Sequence, residues 1–91
     1  MKLTFSMNYK DELMTLVLDK DYNVINREVK NPDMCEFVIK PALPSDRESL
    51  LHFFLKNMGE NADIGAYIEH ICKHGFYNPY ERNLRISISE K

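Results

Sequence analysis

Lys2-Leu3-Thr4-Phe5-Ser6-Met7-Asn8-Tyr9 opens the chain, and Leu13-Met14-Thr15-Leu16-Val17-Leu18 answers it a few residues later. Leu3, Phe5, Met7 and Tyr9 alternate with Lys2, Thr4, Ser6 and Asn8, the period-two signature of a strand with one buried face. Folding the second run back over a two-residue turn at Lys10-Asp11 sets Met7 opposite Met14, Phe5 opposite Leu16 and Leu3 opposite Leu18. That register puts all six side chains on one face, as a packed hairpin requires. Lys-Asp is a poor tight-turn pair, so a longer loop also fits. The competing reading is a helix from about Ser6 to Leu18, because Asp11, Glu12, Leu13, Met14 and Leu16 are adequate helix formers. Strands are the reading adopted.

Working outward, Asp19-Lys20-Asp21-Tyr22-Asn23 is turn-rich and leads into a third strand, Val24–Val29. Its apolar pattern fixes no register. Asn31-Pro32-Asp33 marks another turn. Met34–Lys40 then reads as a fourth strand, with Cys35, Phe37 and Ile39 on one face. Short turns between successive strands imply an antiparallel meander. The periodicity changes at Pro41-Ala42-Leu43-Pro44. Ser45-Asp46-Arg47-Glu48 has capping-box spacing, and Leu50, Leu51, Phe54, Leu55 and Met58 follow as a helical stripe ended by Gly59. Asn61 is placed to cap a second helix with Asp63 in its first turn. Ile64, Tyr67, Ile68, Ile71 and Cys72 form its stripe, and Gly75 ends it. Gly65, inside that helix, predicts close helix packing. After a Phe76–Tyr80 loop, Leu84, Ile86 and Ile88 alternate with Arg85, Ser87 and Ser89 in a final strand. The expected fold is one α+β domain over residues 1–91. An antiparallel sheet carries an αα-hairpin on one face and a C-terminal strand, in the order β-β-β-β-α-α-β.

Composition narrows the function. The 91 residues are 44% hydrophobic and carry 12 basic and 14 acidic side chains, for a net charge of −2. Such a chain is too apolar for disorder and has no global basic field to attract nucleic acid or anionic lipid. Its longest apolar runs, such as Leu16–Leu18, are far below the roughly 18 residues needed to span a bilayer, so no membrane role is expected. The first residues alternate with polar ones and lack the apolar block of a secretory leader. Two cysteines, Cys35 and Cys72, both within apolar patterns, read as buried reduced thiols in a cytoplasmic protein, with a single bridge between them as the other possibility.

Motifs for chemistry are sparse. His70 and His74 sit four apart on a helix and share a face, so they are a weak metal or small-ligand candidate. No H-E-x-x-H or C-x-x-C accompanies them, and a histidine in a last helical turn also suits the negative end of the helix. The serines lie in no nucleophile-elbow sequence, and the three glycines, Gly59, Gly65 and Gly75, are too scattered to cradle a phosphate. No enzyme activity and no cofactor is expected.

The richest stretch for recognition runs from Phe76 to Arg85. Tyr and Arg combine large contact area with hydrogen-bonding tips, as interface hot spots do. The expected partner surface is therefore Phe53, His74, Tyr77, Tyr80, Arg82 and Arg85. Phe53 lies just off its helical stripe, so it either widens the core contact or shows an aromatic ring to a partner. The expected role is a regulator, adaptor or inhibitor that sterically occupies another protein. Small acidic domains of this kind are common among viral or mobile-element inhibitors, an analogy of size and charge. The alternative is an RNA- or DNA-binding module using Tyr77, Tyr80, Arg82 and Arg85. The first and terminal strands, read as sheet edges, offer a route to a homodimer.

Overall fold

The computed structural model describes residues 1–7, 11–30, 43–60, 63–78 and 83–90. In chain order these hold β1 (Lys2–Met7), β2 (Asp11–Leu18), β3 (Val24–Val29), α1 (Arg47–Met58), α2 (Ile64–His74), β4 (Phe76–Asn78) and β5 (Leu84–Ser89). The fold is α+β. The strands form one antiparallel sheet in the spatial order β3-β2-β1-β5-β4, and the helix pair packs on it. The expected strand at Met34–Lys40, and Cys35 within it, lie outside the described residues.

The opening segments are strands, not a helix, but their register differs from the expected one. Leu3 faces Leu16, Phe5 faces Met14 and Met7 faces Asp11, with an irregularity between Phe5 and Ser6. The pairing slides by three positions at Met7 and, past the irregularity, by two at Phe5 and Leu3. A two-residue slip keeps every side chain on its own face, and Leu3, Phe5, Met7, Met14 and Leu16 are all buried. The irregularity leaves Leu13 as the extra residue of a β-bulge, and Leu13 is buried beside Met14. A second register shift, at Val17/Leu18, places Leu18 opposite Val24 and leaves Ile25 64% exposed.

β1 lies in the middle of the sheet, between β2 and β5, and β5 lies between β1 and β4. The expectation that the first and last strands are edges is therefore wrong. The last strand pairs back onto the first, and Phe76–Asn78, expected as loop, pairs onto the last. Among the described residues the flanking strands are β3 and β4. The face of the sheet away from the helices is polar, with Thr4, Ser6, Arg85 and Ser87 in register across its centre.

The helices begin one or two residues later than the sequence suggests. Asp46, not Ser45, caps α1: its carboxylate accepts from the Ser49 amide at 2.7 Å, and the Ser49 hydroxyl accepts from the Asp46 amide at 3.0 Å. The capping box is intact but shifted by one position, because an aspartate supplies a charged acceptor at the positive helix end. Asp63 caps α2 by accepting from the Ala66 amide at 2.9 Å, while Asn61 lies outside the described residues. Gly59 and Gly75 take φ of 77° and 76°, the left-handed geometry that suits glycine where a helix stops.

α1 buries Leu50, Phe53 and Phe54, and Leu51 and Met58 pack at its flank; Leu55 is 42% exposed. The apolar stripe is thus rotated toward Phe53 and away from Leu55. α2 buries Ile64, Tyr67, Ile68 and Ile71. Cys72, expected in that stripe, is exposed. It sits about 100° round from Ile71 in the last turn, past the width of the contact. The Tyr67 hydroxyl donates to the Gly59 carbonyl, tying α2 to the end of α1 and satisfying a buried polar tip.

The β2–β3 connection is organised by Asp19, whose carboxylate accepts from the amides of Asp21 (2.9 Å) and Asn23 (3.0 Å). Within it Tyr22 adopts φ of 66°, unusual for a bulky residue. The conformation lays the Tyr22 ring over Gly65, where a Cβ would stand 3.0 Å from the hydroxyl. The close packing expected at Gly65 is thus made with this turn and not with the other helix. Arg47 also donates to the Asp21 carbonyl at 3.2 Å.

Backbone amides hold both carboxylates charged. The Asn23 amide lowers Asp19 below its ordinary 3.8, and the Ser49 amide does the same for Asp46. A carboxyl group with a depressed folded-state pKa contributes stability above its unfolded value and loses it as pH falls through the folded one. Stability should therefore hold steady down to pH 3.8 and decline below it through these two groups. Acid titrations of wild type, Asp19→Asn and Asp46→Asn, followed by circular dichroism, should show a shallower decline in each variant. Urea unfolding separates the two cap assignments: Asp46→Ala should lower the midpoint and Ser45→Ala should leave it in place. Phe53→Ala should cost about 3–5 kcal/mol, against roughly 0.5 or less for Leu55→Ala.

Candidate functional site

Several of the residues expected to meet a partner gather where α2 hands over to β4. Gly75 stops the helix, its amide donating to the Ile71 carbonyl at 2.7 Å, and the chain passes directly into Phe76. Phe76 turns inward. It is half-buried, with its ring centroid 6.2 Å from that of Phe53. Strand alternation then forces Tyr77 outward, where it is 46% exposed and pairs in register with Arg85. The Arg85 guanidinium carbon lies 5.2 Å from the Tyr77 ring centroid, within cation–π range. The Tyr77 hydroxyl donates to the Asn83 side-chain oxygen, so the ring is held at both ends. Asn78 turns back inward, and its side-chain Nδ2 donates to Asn57 Oδ1 on α1 at 3.2 Å.

An open cleft of about 500 Å³ lies along this strand pair, its lining residues including Ser6, His74, Tyr77, Arg85 and Ser87. Its described lining carries one guanidinium and one imidazole but no carboxylate. Cys72 is not part of it.

Of the six residues expected to meet a partner, three come together here: His74, Tyr77 and Arg85. Phe53 does not. It is 3% exposed and packs edge-on against Phe5 at 5.6 Å and against Phe54 at 6.2 Å. The core alternative for Phe53 therefore holds, and its part in the site is to anchor Phe76. Tyr80 and Arg82 lie outside the described residues. Ser6 and Ser87 were missed. Alternation marks both as outward-facing, but only the pairing of β1 with β5 places Ser6 opposite Arg85.

The histidine pair has the geometry of adjacent helical turns, with His70 and His74 ring centroids 4.9 Å apart on an exposed surface. Glu69, nearby, is engaged by Lys73 at 3.0 Å. No group of three or more His, Cys, Asp or Glu is arranged for a metal among the described residues, and two imidazoles alone make a weak chelate. A second cleft, bounded by Lys20, Tyr22, Arg47 and Asp63, has mixed charge and is filled on one side by the Tyr22–Gly65 contact.

No helix of the described residues is long and apolar enough to cross a membrane. Retention on an untagged nickel column should be slight and lost in His70→Ala, while EDTA should leave the melting temperature unchanged. A chelator-induced drop in melting would show that a metal is structural. Known families, curated proteins and solved structures provide no match to this chain.

Proposed function

We propose that this chain is a cytoplasmic, non-enzymatic protein-interaction module, a regulator, adaptor or inhibitor that works by covering a surface of another protein. The observation that supports this reading is the Tyr77–Arg85 stack. An exposed aromatic ring is fixed in one orientation by the guanidinium above it and by Asn83 at its tip. Preorganised Tyr and Arg side chains bind with less entropy lost on docking than mobile ones. The cleft beside them is open and shallow, a form that suits a protruding side chain of a partner better than an enclosed small substrate.

The same stack on an open sheet face has the ingredients of a single-strand nucleic-acid platform, a ring and a cation. Charge weighs against it. The net charge is −2, and among the described residues the cleft lining offers one permanent cation, enough for about one phosphate contact and little salt-dependent affinity.

Affinity capture from a cell extract tests the reading. Wild type and Lys20→Ala, which alters the other cleft, should retain at least one common protein. Tyr77→Ala should lose it or hold it about tenfold or more weakly. Capture that is unaffected by Tyr77→Ala, or that disappears after nuclease treatment, contradicts the proposal.

A further inference from the structure

α1 carries more apolar surface than the sheet covers. From Phe53 through Leu50, Phe54, Met58 and Leu51 to Leu55, its apolar arc spans about 200° at roughly 100° per residue. The core takes Leu50, Phe53 and Phe54; Leu51 and Met58 are half-buried at its flank, and Leu55 is 42% exposed. Glu48, Leu51, Leu55 and Met58 thus form a strip at steps of three, four and three, the spacing of a helix-pairing seam. We infer that this strip docks against the same strip of a second copy of the chain, with the two helices antiparallel about a two-fold axis midway between Leu51 and Leu55. Self-complementarity argues for that occupant, because an isologous contact needs one surface that matches itself. The axis sets Leu51 opposite the partner's Leu55. It also brings Glu48, in the first turn, beside the partner's Lys56, in the last turn, and does so twice. Neither Glu48 nor Lys56 joins an ion pair within the chain among the described residues. Antiparallel docking further sets each helix N-terminus near the other's C-terminus, where the dipoles attract. A parallel arrangement would oppose Glu48 to Glu48.

The inference goes beyond the interaction reading and does not rest on it. Among the described residues none from α1 lines the cleft at β4 and β5, so the dimer leaves two clefts open and can present both to one partner. The seam is short, on a helix of 12 residues, which places the contact among weak, transient associations. At the micromolar concentrations of an unfolding experiment the chain is a monomer.

The test is sedimentation equilibrium of the full chain from about 0.01 to 1 mM, a range that spans weak affinities. Wild type should move from monomer toward dimer as concentration rises, and no further. Leu55→Glu, at an exposed position, should weaken association about tenfold or more with an unchanged circular dichroism spectrum, and Leu55→Ala should act in the same direction. Glu48→Lys and Lys56→Glu should each weaken it severalfold, and the two combined in one chain should restore it, since both pairs re-form with signs exchanged. Ile25→Ser, which removes the most exposed large apolar side chain among the described residues, and Tyr77→Ala should leave it unchanged. A chain that stays monomeric throughout overturns the inference, whatever other protein binds at Leu55. So does association that survives Leu55→Glu, that Ile25→Ser or Tyr77→Ala abolishes, or that the double charge exchange fails to restore. None of these readouts uses a foreign partner, so their failure leaves Tyr77-dependent capture standing.

Discussion

Phe53 holds the ring of Phe76 against the core, and the surface proposed to meet a partner depends on that contact. Phe53 reaches Phe5 on β1, Phe54 on its own helix and Phe76 on β4 with centroid separations of 5.6 to 6.2 Å. β4 has three residues and pairs through Phe76↔Ile86, Tyr77↔Arg85 and Asn78↔Leu84. So short a strand is marginal on backbone pairing alone. An aromatic pair adds about 0.5–1.5 kcal/mol beyond the area it buries, enough to decide whether β4 stays on the sheet. Once Phe76 is inside, pleating leaves Tyr77 no choice of face. The exposed ring is a consequence of the buried one beside it.

The same logic orders the other end of the helix pair. Asp19 gathers the β2–β3 turn with amide hydrogen bonds, and the turn carries Tyr22 in a left-handed conformation onto Gly65. A side chain larger than hydrogen at position 65 would meet the Tyr22 hydroxyl at 3.0 Å. α2 is thus bounded by Tyr22 near its first turn and by Gly75 at its last. Its direction aims the chain into β4 with His74 at the rim of the cleft.

Much of the fold was legible because its signals are local and periodic. Alternation in Leu3–Met7 and Leu84–Ile88, the helical stripes and the glycine stops each involve neighbours in sequence, and a slip of two residues in the first hairpin left every face correct. What could not be read depends on distant partners. The β-bulge at Leu13 shows no local mark, and the pairing of β5 with β1 is invisible to either strand alone. Ser45 and Asp46 offer two overlapping capping boxes, and the choice between them follows from which acceptor carries a charge. Leu55 and Phe53 exchanged roles because a rotation of the helix by a fraction of a turn decides which of them faces the sheet. At the site, His74, Tyr77 and Arg85 were suggested by residue type. Their convergence with Ser6 and Ser87 required the sheet order.

The account stands on Phe76 as the anchor of the Tyr77–Arg85 pair. Replacing Phe76 by alanine and recording the ring-current shifts of the Arg85 side chain, with amide exchange at Tyr77, tests that dependence directly. The account predicts that the Arg85 shifts relax toward unstructured values and that Tyr77 loses exchange protection, while the amides of β1 and β2 remain protected. Unchanged Arg85 shifts and a protected Tyr77 amide in the variant would show that β4 holds itself in place, and would contradict it.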